Sequence, residues 1–231
     1  MRLIAFGDIH MQPARCRDIP GLPEADKVLI TGDLTNFGGR TEASEILAKI
    51  AKINPNLLAV AGNLDRPEVE ELLAEKGFSL HGRGLSIGTV GLFGVGGSNP
   101  TPFHTPNEFS EKEMEQLLQA GHALVRDSRF RILVCHTPPY QSATDRIATG
   151  IHAGSPAVRT FIEQEQPDLC LCGHIHEARG TDRIGRTRIL NAGMLQEGGW
   201  IDVTVSNDKL SAVLNTQISS PTNSQCQNHT K

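Results

Sequence analysis

Four short apolar runs of this chain stop at a glycine and a fifth stops at a cysteine. All five lead directly into residues of metal-ligand type. The segments are Gly7-Asp8-Ile9-His10, Gly32-Asp33, Gly62-Asn63-Leu64-Asp65, Cys135-His136 and Gly173-His174-Ile175-His176. The runs before them, residues 2–6, 27–31, 57–61, 131–135 and 168–172, are too short for helices and read as strands. Helical patterns lie between them. Residues 41–53 carry Ile46, Leu47 and Ile50 on one stripe. Residues 67–76, with Pro67 near the first turn, and 155–165 read as helices as well. Ser110 with Glu113 three positions on is a capping-box start for a further helix. Strands alternating with helices predict an α/β fold. In such folds ligands gather outside the carboxyl ends of the strands. Segments far apart in sequence are therefore expected to meet in one crevice.

The donor types narrow what that crevice would hold. Asp8, His10, Asp33, Asn63, His136, His174 and His176 offer oxygen and imidazole, with no thiol at an equivalent position. Such donors suit divalent Mn, Fe or Zn better than a thiolate-seeking ion. The set is too large for one ion with an open position, and a carboxylate shared by two ions resolves the count. Asp-x-His and His-x-His also place both side chains on one side of an extended loop. Taken singly, Gly-Asp after a strand is a common turn or cap, and a lone histidine is a common core residue. Turn chemistry does not account for the ordered set.

Composition excludes other classes. The chain has 231 residues, a formal net charge of −4 and 38% hydrophobic residues, the profile of a globular protein with a real core. A mildly acidic chain is a poor dedicated binder of nucleic acid or membrane surfaces. No apolar run approaches the roughly 20 residues that span a bilayer. The first apolar stretch stops at Asp8, which does not match a signal peptide. The odd cysteine count, 5, predicts reduced, buried thiols rather than a disulfide framework, and with it a cytoplasmic protein. Residues 85–96 read as a Gly-rich hairpin, 101–109 as an irregular loop, and 188–190, 200–205 and 210–214 as further strands. One domain is expected over residues 1–218. Residues 219–231, almost without apolar side chains, are expected to form a disordered tail.

Asp-x-His, Gly-Asp, Gly-Asn-x-Asp, a lone His and Gly-His-x-His, in that order, resemble the calcineurin-like metallophosphoesterase superfamily across most of the chain. The resemblance implies a β-sandwich flanked by helices, with two divalent metal ions at the strand ends and Mn foremost. It implies Asp8, His10 and His176 on one ion, Asn63, His136 and His174 on the other, and Asp33 bridging them. Asn191-Ala192-Gly193 is similar to the family's later Asn-Pro-Gly turn. Gly-His-Ile-His-Glu and His152-x-Gly154-Ser155 look closest to small prokaryotic Icc-related phosphoesterases.

The implied activity is metal-dependent hydrolysis of a small phosphate ester. Two ions about 3.5–4 Å apart lower the pKa of a shared water, and the resulting hydroxide attacks phosphorus in line. One departure stands out. The family's third block carries a histidine that assists the leaving group, and this chain has Leu64 there. Asp65, left without that partner, is expected to cap the helix near Pro67. His104 and His152 are the substitutes in reach of loops. His152 is preferred because Gly154 and Ser155 allow close approach, so Asp33, Asn63 and His152 form the expected catalytic set. Without the usual acid, phosphodiesters are favoured over monoesters. A phosphomonoesterase or protein phosphatase is the alternative within enzymes, and the chain is short for the latter. A non-catalytic scaffold on the same fold would have lost ligands, and all seven are present. A Rossmann-type binder would need a helix after Gly94-Val95-Gly96-Gly97, where Asn99-Pro100 follows.

Overall fold

The structure is a computed structural model that describes residues 1–206 and 208–218. The expected tail, residues 219–231, lies outside the described residues. The first half alternates β1 (Arg2–Phe6), β2 (Lys27–Ile30), α1 (Arg40–Ala51), β3 (Leu57–Ala59) and α2 (Pro67–Glu75). The hairpin β4 (Gly84–Ile87) and β5 (Val90–Val95) follows, then α3 (Glu111–Ala123), β6 (Phe130–Cys135), α4 (Pro156–Glu165) and β7 (Leu169–Cys172). The described residues end with β8 (Gly180–Ile184), β9 (Thr187–Asn191), β10 (Trp200–Ser206) and β11 (Lys209–Asn215).

Among the described residues two sheets form, in the orders β11-β10-β1-β2-β3 and β4-β5-β6-β7-β9-β8. Within them β1, β2 and β3 run parallel, as do β5, β6, β7 and β9. The two-residue alternation of side chains explains why the central strands are apolar throughout. Leu3, Ala5 and Leu29 meet Leu92, Ile132, Val134 and Leu171 between the sheets. Ile4, Phe6 and Ile30 turn outward onto Ile46, Leu47, Ile50, Val69 and Leu73 of α1 and α2. Phe93, Leu133, Cys135, Cys170 and Cys172 turn outward from the other sheet onto Met114, Leu118, Phe161 and Ile162 of α3 and α4. The result is a β-sandwich flanked by helices, as the sequence led one to expect.

Local signals behave as read. The Ser110 hydroxyl accepts from the Glu113 N–H, and Glu113 Oε2 accepts from the Ser110 N–H at 2.8 Å. Cys16, Cys135, Cys170 and Cys172 are buried and free. The sequence reading missed β8. Its Thr181, Asp182 and Arg183 carry no apolar period, because it is an edge strand held by β9 and its charges blunt the exposed edge.

The parallel strands deliver their carboxyl ends to one side, and backbone hydrogen bonds lace those ends together. The Asp8 N–H donates to Gly32 O at 3.0 Å, Gly97 N–H to Ala61 O at 2.8 Å, His136 N–H to Val95 O at 3.2 Å and Gly173 N–H to His136 O at 3.0 Å. His81 adds a further tie, its Nδ1 accepting from the Gly96 N–H at 3.0 Å. That bond needs a neutral ring, and burial with nearby Arg83 lowers the His81 pKa to about 4. In the unfolded chain the ring takes its proton near its ordinary 6.5. The folded pKa is the lower one, so stability is full above pH 6.5 and falls as pH drops from 6.5 toward 4. The loss is on the order of 3 kcal/mol for a shift of this size. Replacing the titrating ring by His81→Asn should flatten this part of the stability profile, measured by urea unfolding at pH 7, 5.5 and 4.5.

Candidate metal centre

The first cluster forms where the loops after β1 and β7 meet. His10 donates from Nδ1 to Asn36 Oδ1 at 2.7 Å, which leaves the lone pair on Nε2. That atom lies 3.1 Å from His176 Nε2 and 3.9 Å from Asp8 Oδ1. His176 Nε2 is 3.2 Å from the same carboxylate oxygen. Asp8 is fully buried and also accepts from the His174 N–H at 3.2 Å. Asp8, His10 and His176 thus present one ligand atom each, all within 4.8 Å of one another.

A second cluster, Asp8, Asp33 and His136, meets the same limit of 4.8 Å. His136 donates from Nδ1 to the Thr31 carbonyl at 2.8 Å. Burial lowers its pKa to about 4, so the ring is neutral near pH 7 and Nε2 carries only a lone pair. That lone pair faces Asn63 Oδ1 at 2.9 Å, while Asn63 gives its own N–H to Thr105 Oγ1 at 3.1 Å. Two acceptors therefore face each other in a buried place with no proton between them. Such an arrangement is unfavourable for the bare protein and suits a cation lying between them. Asp33 Oδ2 stands 3.6 Å from His136 Nε2 and 3.9 Å from His10 Nε2, so it addresses both clusters. Asp8 belongs to both as well, which the sequence did not suggest. His174 is in neither cluster. Its ring packs 5.1 Å from that of His136, and burial drives its pKa down to about 3.

Electrostatics point the same way. Asp8, Asp33 and Asp65 are buried close together. Burial, then the charges of Asp65 and Asp8, push the Asp33 carboxyl well above the usual carboxylate range. Burial also works to raise Asp8, but the hydrogen bond from His176 and the surrounding histidines bring it below that range. Divalent cations would relieve this crowding, and the oxygen and imidazole donors match Mn, Fe or Zn. The backbone is strained at the same points. Asp8, His10, Asp33 and His174 have φ of 47°, 46°, 47° and 67°. The glycines before the ligands answer to close approach. A Cβ on Gly62 would fall on Asp33 Oδ1, and one on Gly173 would fall on Asp8 Oδ2.

Asp65 corrects the sequence reading. The N-cap position of α2 is Arg66, and no side chain caps that helix. Asp65 instead accepts from Leu34 N–H at 3.1 Å, Thr35 N–H at 2.8 Å, Thr35 Oγ1 at 2.8 Å and Gly62 N–H at 2.8 Å. Its carboxylate points back beneath the crevice and knits the Asp33 loop to the Asn63 loop, so it is unavailable to the helix.

Asp33, Asn63, Leu64, His152, His174 and His176 share one cleft. His152 is half-buried there, with Nδ1 2.5 Å from Asp145 Oδ1. Asp145 is fully buried and also accepts from the N–H groups of Gln141, Ser142 and Gly154, at 3.0, 3.0 and 3.1 Å. The structure therefore adds a carboxylate partner that sequence reasoning missed. Nothing in the local pattern pairs position 145 with 152. His104 is exposed on the neighbouring loop and does not line the cleft. Asn191 clips the two walls together, donating to Thr144 O at 3.2 Å and Ile175 O at 2.9 Å. Its Oδ1 accepts from the Gly193 N–H at 2.8 Å, which gives the Asn-Ala-Gly turn a structural purpose.

Comparison with known proteins supplies the family. The uncharacterized protein MJ1162 of Methanocaldococcus jannaschii is 35% identical over 196 residues, covering 83% of this chain and 87% of its own length. The UPF0046 protein K07C11.7 of Caenorhabditis elegans is 25% identical over 223 residues, covering 87% of this chain and 72% of its own. Among solved structures, TT1561 of Thermus thermophilus superposes with a TM-score of 0.71 at 18% identity, over 94% of this chain and 99% of that one. A putative 5'-nucleotidase from Staphylococcus aureus gives a TM-score of 0.61 at 13% identity, over 98% of this chain and 56% of that one. These two likenesses concern the fold. The sequence profile of the calcineurin-like phosphoesterases matches residues 1–178, which include all seven candidate ligands. With the sandwich and both Asp/His clusters in place, the chain belongs to the calcineurin-like phosphoesterase family.

Proposed function

We propose that this chain hydrolyses small phosphate esters, phosphodiesters foremost, with two divalent cations, Mn first among Mn, Fe and Zn. The observation that carries the reading is the lone pair of His136 Nε2 facing Asn63 Oδ1 at 2.9 Å, beside a buried carboxylate that also faces His10. Asp8, His10 and His176 would hold one cation, Asn63, His136 and His174 the other, and Asp33 both. When bound, the cations neutralise phosphoryl oxygens and lower the pKa of the attacking water.

The chain's own residues do the rest. Asn36 and the Thr31 carbonyl fix the tautomers of His10 and His136, so each presents Nε2 to the crevice. Asp145 orients His152 through Nδ1, which leaves Nε2 to pass a proton to the departing oxygen. Leu64, at the position of the family's acid, can neither donate nor accept. Membership of the family supports a phosphoesterase; the preference for diesters rests on Leu64. Buried free thiols suit a reducing compartment, and we place the protein in the cytoplasm. Among the described residues no helix is long and apolar enough to cross a membrane.

Asp33→Asn should strip metal from both clusters and cut turnover by at least about 10²-fold, since neutralisation at the reacting oxygens goes with it. Metal content by mass spectrometry and hydrolysis of bis(p-nitrophenyl) phosphate with added Mn²⁺ are the readouts. Full metal occupancy with unchanged turnover would refute the ligand assignment.

His152→Ala should remove a proton donor worth about 10²–10⁴-fold on esters with poor leaving groups and much less on activated aryl esters. The slope of log kcat against leaving-group pKa should therefore steepen. Asp145→Asn should steepen it in the same sense, and Leu64→His should flatten it. A slope identical in wild type and His152→Ala would remove His152 from the mechanism.

A further inference from the structure

We infer that the organic part of the substrate is apolar and uncharged and lies in the cleft above the metal clusters. This deepens the phosphoesterase reading and rests on it. The cleft measures about 950 Å³, while the candidate ligands Asp33, Asn63, His174 and His176 occupy only its floor. Organic ligands fill sites of roughly 300–1,000 Å³, so the remainder suits a substantial group beyond the phosphate. Leu64, Ile147 and Ile175 line its walls, and Phe37, Phe103 and Ile151 complete them.

The last three are 54%, 83% and 63% exposed, which is unusual for such large apolar side chains gathered around one opening. Phe103 and Ile151 do not hang from loose chain. Glu108 accepts from Thr101 Oγ1, Thr105 N–H and Thr105 Oγ1 at 2.6, 2.7 and 2.6 Å and so fastens the loop that carries Phe103. The Ile147 N–H donates to Ile151 O at 3.0 Å, and the Ala148 N–H donates to Glu177 Oε1 at 3.0 Å, which fasten the loop that carries Ile151. Structured loops thus present apolar side chains to a space that is continuous with the reacting centre.

Charge excludes the polyanionic substrates. Among the described residues no Lys or Arg lines the cleft, and beyond the candidate ligands its acidic residues are Glu111 and Glu177. Recognition of a nucleic acid or a polyphosphate draws on cationic side chains along the backbone. Beyond the metal floor no Lys or Arg would balance a second phosphate, and Glu111 and Glu177 would repel it. An ester with a single phosphate and an aliphatic or aromatic alcohol matches the walls.

The test is calorimetric titration of n-alkylphosphonates, methyl to octyl, into the Mn²⁺-loaded protein. Affinity should rise about two- to fourfold per methylene until the cleft is filled. A naphthylphosphonate arm distinguishes an aromatic from an aliphatic group. The exposed pair Phe103→Ser and Ile151→Ser, combined, should flatten the chain-length dependence. Chain-length-independent affinity, no binding of octylphosphonate, or tighter binding of a dinucleotide than of octylphosphonate would each overturn the inference. Turnover of p-nitrophenyl esters, measured in parallel, separates the two claims. Hydrolysis with flat affinities removes the apolar cleft and keeps the hydrolase. Rising affinities without hydrolysis of any ester keep the cleft and remove the hydrolase.

Discussion

A neutral imidazole and an amide oxygen aimed at each other 2.9 Å apart, with no proton to share, must be held by something stronger than their own contact. His136 cannot turn away, because its Nδ1–H is committed to the Thr31 carbonyl at the end of β2. Asn63 keeps its N–H side toward Thr105, whose own hydroxyl proton goes to Glu108 Oε1. Three buried carboxylates add to the tension. A fold selected for stability alone has no reason to gather these groups away from water, where each charge costs several kcal/mol unless paired. The crevice is therefore built for cations, and the four layers of the sandwich supply the rigidity that keeps the acceptors in place.

That rigidity begins with strands apolar on both faces. Leu3 and Ala5 go to the inner core, Ile4 and Phe6 to the outer one, and β1 has no register that would release Asp8 from the crevice. The candidate ligands then sit within four residues of the strand ends, and at Asp8, His10, Asp33 and His174 the backbone adopts left-handed conformations that a bulky residue would resist. Asp65 and Asn191 act a layer further out. One ties the loops after β2 and β3, the other ties the loop after β7 to the wall that carries Asp145 and His152. Neither needs to touch a substrate to matter for where the ligands point.

Much of this is legible in the sequence, because its causes are local. The apolar runs, the Ser110 capping box and the glycines before Asp33, Asn63 and His174 each leave a mark within a few residues. What escapes is non-local or faint. β8 is an edge strand whose polar side chains follow no apolar period. The partnership of Asp145 with His152 depends on how one loop folds back on itself, and that of His10 with Asn36 on two loops meeting. Asp65 misleads because a carboxylate next to a helix start is a common cap. Besides nearby Gly62, its partners lie about 30 residues earlier, at Leu34 and Thr35, and tertiary burial decides the outcome.

The most direct measurement is a crystal structure of the protein grown with Mn²⁺ and recorded at a wavelength where manganese scatters anomalously. Two peaks per chain are expected. One should be bound by Asp8, His10 and His176, the other by Asn63, His136 and His174, with an Asp33 oxygen reaching both. A single peak, peaks away from these side chains, or a map without manganese in which His136 and Asn63 still face each other would contradict the dinuclear centre.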